Sequence, residues 1–158
     1  MGFEIREATR DDIPLFMGML RRMAAYEKLE DWMTAEPASM ERLIFDERVL
    51  EVFFAVEDGI EVGFSAYSKN FSTFYGFPTL FLEDIFIEEE HRRKGYGRKL
   101  VKHGARLAVE RGYGRMDWYC LDWNKAGIDF YESLGAKPLG EWVLYRLEGE
   151  ALEEAASK

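Results

Sequence analysis

A chain of 158 residues, 47% hydrophobic and 15% aromatic, can bury one ordinary core, which excludes a disordered protein. Its net charge of -9 argues against nucleic-acid binding, because neutralising phosphates requires a basic surface. A single cysteine, Cys120, excludes an internal disulfide and a cysteine-rich metal site, and no apolar run reaches the roughly 20 residues of a membrane span.

Along the chain, Phe3–Ala8 reads as a first strand. Thr9 opens a capping-box start with Asp12, and Ile13, Phe16, Met17, Leu20, Met23 and Ala24 then recur at helical spacing to Tyr26. Thr34 and Pro37 start a second helix carrying Met40, Leu43 and Ile44. Leu50–Glu57 and Ile60–Ser68 are strand-like runs joined by Asp58-Gly59, a two-residue hairpin signal. An aromatic loop, Asn70–Pro78, leads to a strand at Thr79–Ile87. The spacing predicts a helix over Arg98–Arg111, closed by Gly112, then a strand at Arg115–Leu121 in which Cys120 is a buried small hydrophobe. A short helix at Lys125–Ser133, stopped at Leu134-Gly135, and a strand at Trp142–Leu147 complete the pattern, with Ala151–Lys158 expected to fray.

The order β-α-α-β-β-β-α-β-α-β implies an α/β protein of the α+β type with a mixed central sheet of about six to seven strands. The parallel crossover runs through Arg98–Arg111, and helices cover both faces. Residues 1–150 are expected to form a single domain, followed by the tail 151–158. The N-terminus MGFEIREATRDD is charged at once and has no signal-peptide core; with one cysteine, a cytoplasmic location is expected. His91 and His103 lie at no metal-ligand spacing, so both are read as surface residues and no metal is expected.

The charge is unevenly placed. Between Glu88 and Arg115 nine cations face four acids, a basic window inside an acidic chain. Its densest part, "HRRKGYGRKL", sets Arg92, Arg93, Lys94 and Arg98 around Gly95, Tyr96 and Gly97, between a strand and a helix N-terminus. Glycine lets backbone approach a ligand, and the first-turn N–H groups and helix dipole favour an anion. A solvated basic helix start is the competing reading. Neither a Walker loop nor a dinucleotide fingerprint is present.

R-R-K-G-Y-G resembles the pyrophosphate loop, R/Q-x-x-G-x-G/A, of the GNAT superfamily of acetyl-CoA-dependent N-acetyltransferases. The element order matches over nearly the whole chain. Within the superfamily the chain is similar to the spermidine/spermine N-acetyltransferases and their thialysine-acetylating relatives. That likeness rests on A-A-Y-E at Ala24–Glu27, L-E-D at Leu82–Asp84, D-W-N at Asp122–Asn124, and F-Y-x-x-x-G-A at Phe130–Ala136.

The resemblance implies a GNAT fold and acetyl-CoA as cosubstrate, bound by Ile85, Phe86 and Ile87, by Arg92–Arg98, and by Asn124, Lys125, Ala126, Gly127 and Tyr131. It implies Tyr131 as the acid toward the leaving thiolate and Glu83 as the base toward the amine. Tyr26, Glu27, Glu83 and Glu141 are implied to bind the substrate, a polyamine, diamine or lysine-like primary amine that attacks directly in a ternary complex. A homodimer is implied as well, and the aromatic residues Phe71, Phe74, Tyr75 and Phe77 add an unusually apolar loop. Read from residues alone, strand alternation puts Glu83 and Asp84 on opposite faces, and Asp84 is taken as structural. Asn124 also suits a helix cap. The family's polyamine-specific members carry an acid beside an aromatic in the loop before L-E-D; here "NFSTFYGFP" has none. A protein-amine acetyltransferase and a non-catalytic CoA-binding module are the competing readings.

Overall fold

The computed structural model describes residues 2–157, so Met1 and the last tail residue, Lys158, lie outside it. Two compact units are formed, one ending at Tyr119 and the other beginning at Cys120.

The first unit is built on a five-stranded sheet in the order β1-β2-β3-β4-β5: Phe3–Glu7, Glu51–Glu57, Ile60–Ser72, Phe77–Ile87 and Arg115–Trp118. The first four strands pair antiparallel, and β5 joins β4 in parallel over Thr79–Leu82. The helices are α1, Ile13–Tyr26; α2, Pro37–Glu41, which widens into a π-turn at Arg42–Asp46; and α3, Tyr96–Glu110.

Alternation along the strands sorts the core into two layers. Val52, Phe54, Val56, Phe64, Ala66 and Phe86 face Ile13, Phe16, Met17 and Met23 of α1. The other face carries Phe53, Tyr67, Leu80 and Leu82 with Ala108 of α3, and Ala55 and Val62 with Tyr96 and Leu100. Helices therefore cover both faces, as the amphipathic spacing requires. Local signals hold as well. Thr9 and Asp12 form the capping box, and Asp58 and Gly59 both take positive φ in a tight hairpin turn. Gly112, at φ 73°, ends α3.

Three differences from the sequence reading concern pairing. The expected aromatic loop is mostly ladder, because β3 runs on to Ser72 and β4 starts at Phe77, leaving only the turn between them. Among the described residues the sheet has five strands where six to seven are expected, since Trp142–Leu147 adds none. Its residues suit a pleated surface, but a strand exists only through a partner's hydrogen bonds, and Tyr145 is 89% exposed. β5 likewise ends at Trp118, so Cys120 is exposed where a buried strand residue is expected.

The second unit contains α4, Lys125–Ser133, and α5, Gly149–Ser157. The tail expected to fray from Ala151 is thus helical, consistent with its run of alanine, leucine and glutamate, all strong helix formers.

Candidate active site

The first candidate region lies on β4 beyond the end of β5. Beyond Leu82, β5 no longer pairs with β4, so the β4 edge over 83–87 has no strand beside it among the described residues. Alternate backbone N–H groups on such an edge can serve a ligand. This is the stretch Ile85–Ile87 that the resemblance marks for the cofactor.

A β-bulge interrupts the same strand. Ala66 opposes Asp84 and Tyr67 opposes Leu82, which leaves Glu83 as the extra residue. Ser68 Oγ donates to Glu83 Oε1 at 2.9 Å. Ala66 and Ser68 sit two apart on β3 and share the α1 face, so Asp84 and Glu83 both turn toward it. Strand alternation put the two carboxylates on opposite faces; the bulge overturns that. Glu83 is exposed and forms no ion pair among the described residues.

Asp84, taken as structural in sequence, is shifted far from an ordinary carboxylate. Burial, with Glu83 and Glu27 as like-charged neighbours, pushes its carboxyl up to about 7. Burial also raises Glu27, at the C-terminus of α1. Arg22 of α1 reaches Glu88 after β4, donating from Nε at 2.9 Å, and ties the two elements together. Arg92 lies 4.8 Å from the Tyr26 ring and 5.7 Å from that of Phe86. Tyr26, Glu27, Glu83 and Asp84 thus gather between α1 and β4, an acidic patch suited to an ammonium. Nothing in a single sequence marks the bulge that brings Asp84 into it.

The second region is the basic loop. Arg92 Nε donates to the Ile87 carbonyl at 2.8 Å. Arg93 and Gly95 adopt left-handed backbone, at φ 66° and 81°, and a Cβ on Gly95 would meet nothing within 4 Å. α3 starts at Tyr96, one residue after Gly95, so the N–H groups of Tyr96, Gly97 and Arg98 lie in its first turn, where no intrahelical acceptor exists. Arg93, Lys94 and Arg98 are exposed around them. Open space, first-turn donors and cations fit a pyrophosphate.

The histidines are not simple surface residues. His91 is half-buried with Nδ1 2.5 Å from Glu57 Oε2. His103 packs edge-on against Phe53, and burial lowers its pKa. Both are drawn in by neighbouring elements that sequence spacing does not reveal. Among the described residues no group of three or more His, Cys, Asp or Glu is arranged to hold a metal, and no helix is long and apolar enough to cross a membrane.

In the second unit, Asn124 Oδ1 accepts from the Gly127 N–H at 3.1 Å and caps α4. A Cβ on Gly127 would lie 2.7 Å from Asn124 Nδ2, so glycine is what permits the cap. Lys125 pairs with Asp129 at 3.2 Å. Tyr131 is half-buried on α4 with its ring 5.3 Å from Phe130, and Glu141 is exposed.

A mixed sheet whose bulged β4 feeds a glycine-containing loop into α3 is the arrangement that the resemblance implies. The sequence profile of the acetyltransferase (GNAT) family matches residues 17–136, and the chain belongs to that family. It is an N-acetyltransferase: a thialysine N-epsilon-acetyltransferase of Bos taurus is 34% identical, over 98% of this chain and 97% of the relative. An L-ornithine N5-acetyltransferase of Arabidopsis thaliana is 28% identical over 97% and 87%. Among solved structures, an integron cassette protein from V. cholerae superposes with a TM-score of 0.80 at 26% identity, covering 100% of this chain and 99% of that one.

Proposed function

We propose that this enzyme acetylates a small primary amine of the diamine, polyamine or lysine-like kind. The observation that carries the proposal is the acidic patch of Glu27, Glu83 and Asp84 beside Tyr26, which has the charge to hold an ammonium. Lysine-like substrates fit best. The segment before β4 has no acid to receive a distant second ammonium, and two relatives are named as a thialysine N-epsilon-acetyltransferase and an L-ornithine N5-acetyltransferase.

Acetyl-CoA, when bound, supplies the acetyl group. Its pyrophosphate would be held by the first turn of α3 with Arg93, Lys94, Gly95 and Arg98, and the rest by the 85–87 edge and by Asn124–Gly127. Glu83 takes the proton from the bound ammonium, directly or through water, while Tyr26, Glu27 and Glu141 hold the amine. Tyr131 holds its hydroxyl proton for the leaving sulfur. Amine and donor are bound together, with no acyl-enzyme.

A second reading is favoured by one observation. Asp84, pushed up to about 7, is better matched to a base at neutral pH than an exposed carboxylate, and would take the proton through Glu83 or water.

The reading includes one acetyltransferase domain over residues 1–150, working in the cytoplasm as a homodimer. Phe71, Phe74 and Tyr75 support the dimer, being exposed together at the β3–β4 turn, with Phe74 96% exposed. Light scattering at micromolar concentration should give twice the chain mass; a monomer removes this part. The activity is tested by thiol release from acetyl-CoA with diamines, polyamines, lysine analogues and peptides. Release with lysine analogues first is expected. Release with peptides alone would replace the proposal by a protein-amine acetyltransferase.

A further inference from the structure

One carboxylate outside the basic loop ties it to the sheet. Glu57 is the last residue of β2, opposite Phe3 of β1. Its carboxylate collects three donors from the segment leading into α3. His91 Nδ1 lies at 2.5 Å, Lys94 Nζ at 2.9 and 3.1 Å from the two oxygens, and the Tyr96 hydroxyl donates to Oε1. The Tyr96 ring is buried and stacks on Phe3 with centroids 4.5 Å apart. At the other end Arg92 is fixed to the Ile87 carbonyl.

Between these anchors lie Arg93 and Gly95, both left-handed. Arg93 pays a steric penalty there that glycine does not, so the loop needs fixed ends to hold that path. The anchoring also sorts the cations. Lys94 is neutralised by Glu57 and Arg92 is committed to a carbonyl and two rings, while Arg93 is exposed beside the first turn of α3. Crowding among the loop's cations is thereby eased.

We infer that Glu57 is a positioning residue for the cofactor loop: it acts through Lys94, Tyr96 and His91 to hold Arg93, Gly95 and the α3 N-terminus ready for pyrophosphate. The inference rests on the proposed reading of that loop. Glu57 itself touches neither donor nor amine; its effect falls on cofactor affinity.

The test is steady-state kinetics of Glu57→Gln with acetyl-CoA and amine varied separately. Losing a charge-assisted contact corresponds to roughly ten-fold or more in affinity, so KM for acetyl-CoA should rise by about that factor. Saturated kcat and amine KM should stay within about two-fold. In a Lys94→Met, Tyr96→Phe background the same substitution should add little, because the groups it acts through are gone. If Glu57→Gln fails to fold, Tyr96→Phe reads the clamp from its other side and should raise acetyl-CoA KM.

Gly95→Val is the control. Acetyl-CoA KM unchanged in Glu57→Gln but raised in Gly95→Val overturns the clamp and keeps the loop reading. Both unchanged overturns the loop reading, and the clamp with it. A fall in kcat with both KM values altered overturns the positioning role in favour of a general structural one.

Discussion

Two carboxylates of one sheet, Glu57 on β2 and Asp84 on β4 with β3 between them, show how surroundings set the same chemical group. Glu57 accepts from Tyr96, Lys94 and His91, and these donors pull its pKa down to about 2. Asp84 sits against an apolar layer with Glu83 and Glu27 as neighbours, and burial and like charge push it up to about 7. Donors hold the first as a fixed anion; the second is free to exchange a proton near neutral pH. The signs for stability are therefore opposite. Glu57, with its folded pKa depressed, stabilises the fold above the ordinary carboxylate range and loses that contribution on acidification toward pH 2. Asp84, with its folded pKa raised from 3.8, costs stability as pH rises through 7. A fixed anion suits a positioning role, and a titrating one suits chemistry.

The largest effect should come from removing charge at the acidic patch. Glu83→Gln keeps shape but cannot take a proton, so kcat/KM for the amine should fall by about 10²–10⁴-fold and recover as pH approaches the amine's own pKa. Wild-type kinetics across pH 6 to 10 (roughly the range over which a free amine stays mostly protonated) would leave Glu83 with no chemical role and move the base to Asp84. Tyr131→Phe sharpens the contrast from the other side. Amine KM should stay near wild type while kcat falls, by about 10²-fold if the hydroxyl acts as the acid. An unchanged kcat would remove Tyr131 from the chemistry.

Asp84→Asn should divide activity from stability. Between pH 4 and 7 the folded chain keeps a proton on Asp84 that the unfolded chain releases, so wild-type stability falls with rising pH over that window. The variant escapes this loss. Its unfolding free energy should exceed that of wild type at pH 8 by an amount on the order of a few kcal/mol, seen as a higher melting temperature, and match it near pH 4. Equal melting temperatures at both pH values would mean that the crowding of the three carboxylates is relieved some other way.

A smaller effect belongs to the second unit. Asn124→Ala removes the α4 cap and should cost about 1 kcal/mol of stability, measured by urea unfolding. If acetyl-CoA affinity is untouched in that variant, Asn124 is a cap alone and its assignment to the cofactor falls.

Much of this was legible in the chain. Periodicity placed α1, α3 and α4, Asp58-Gly59 placed the hairpin, and the six residues R-R-K-G-Y-G with L-E-D and D-W-N pointed to the family and to candidate site residues. These are local signals, fixed by steric preference and hydrophobic spacing within a few residues. What lay between distant residues was not legible. The β4 bulge depends on register against β3, so the common face of Glu83 and Asp84, and the raised pKa of Asp84, arise only on pairing. Glu57 reads in sequence as an ordinary strand end and becomes a clamp because folding brings it to His91, Lys94 and Tyr96. Trp142–Leu147 makes the same point in reverse, with strand-forming residues and no ladder. Sequence alone determined which residues could form elements and which chemistry was present. The tertiary structure decided which charges share a face and which are neutralised, because register and long-range pairing bring together groups that no local preference encodes.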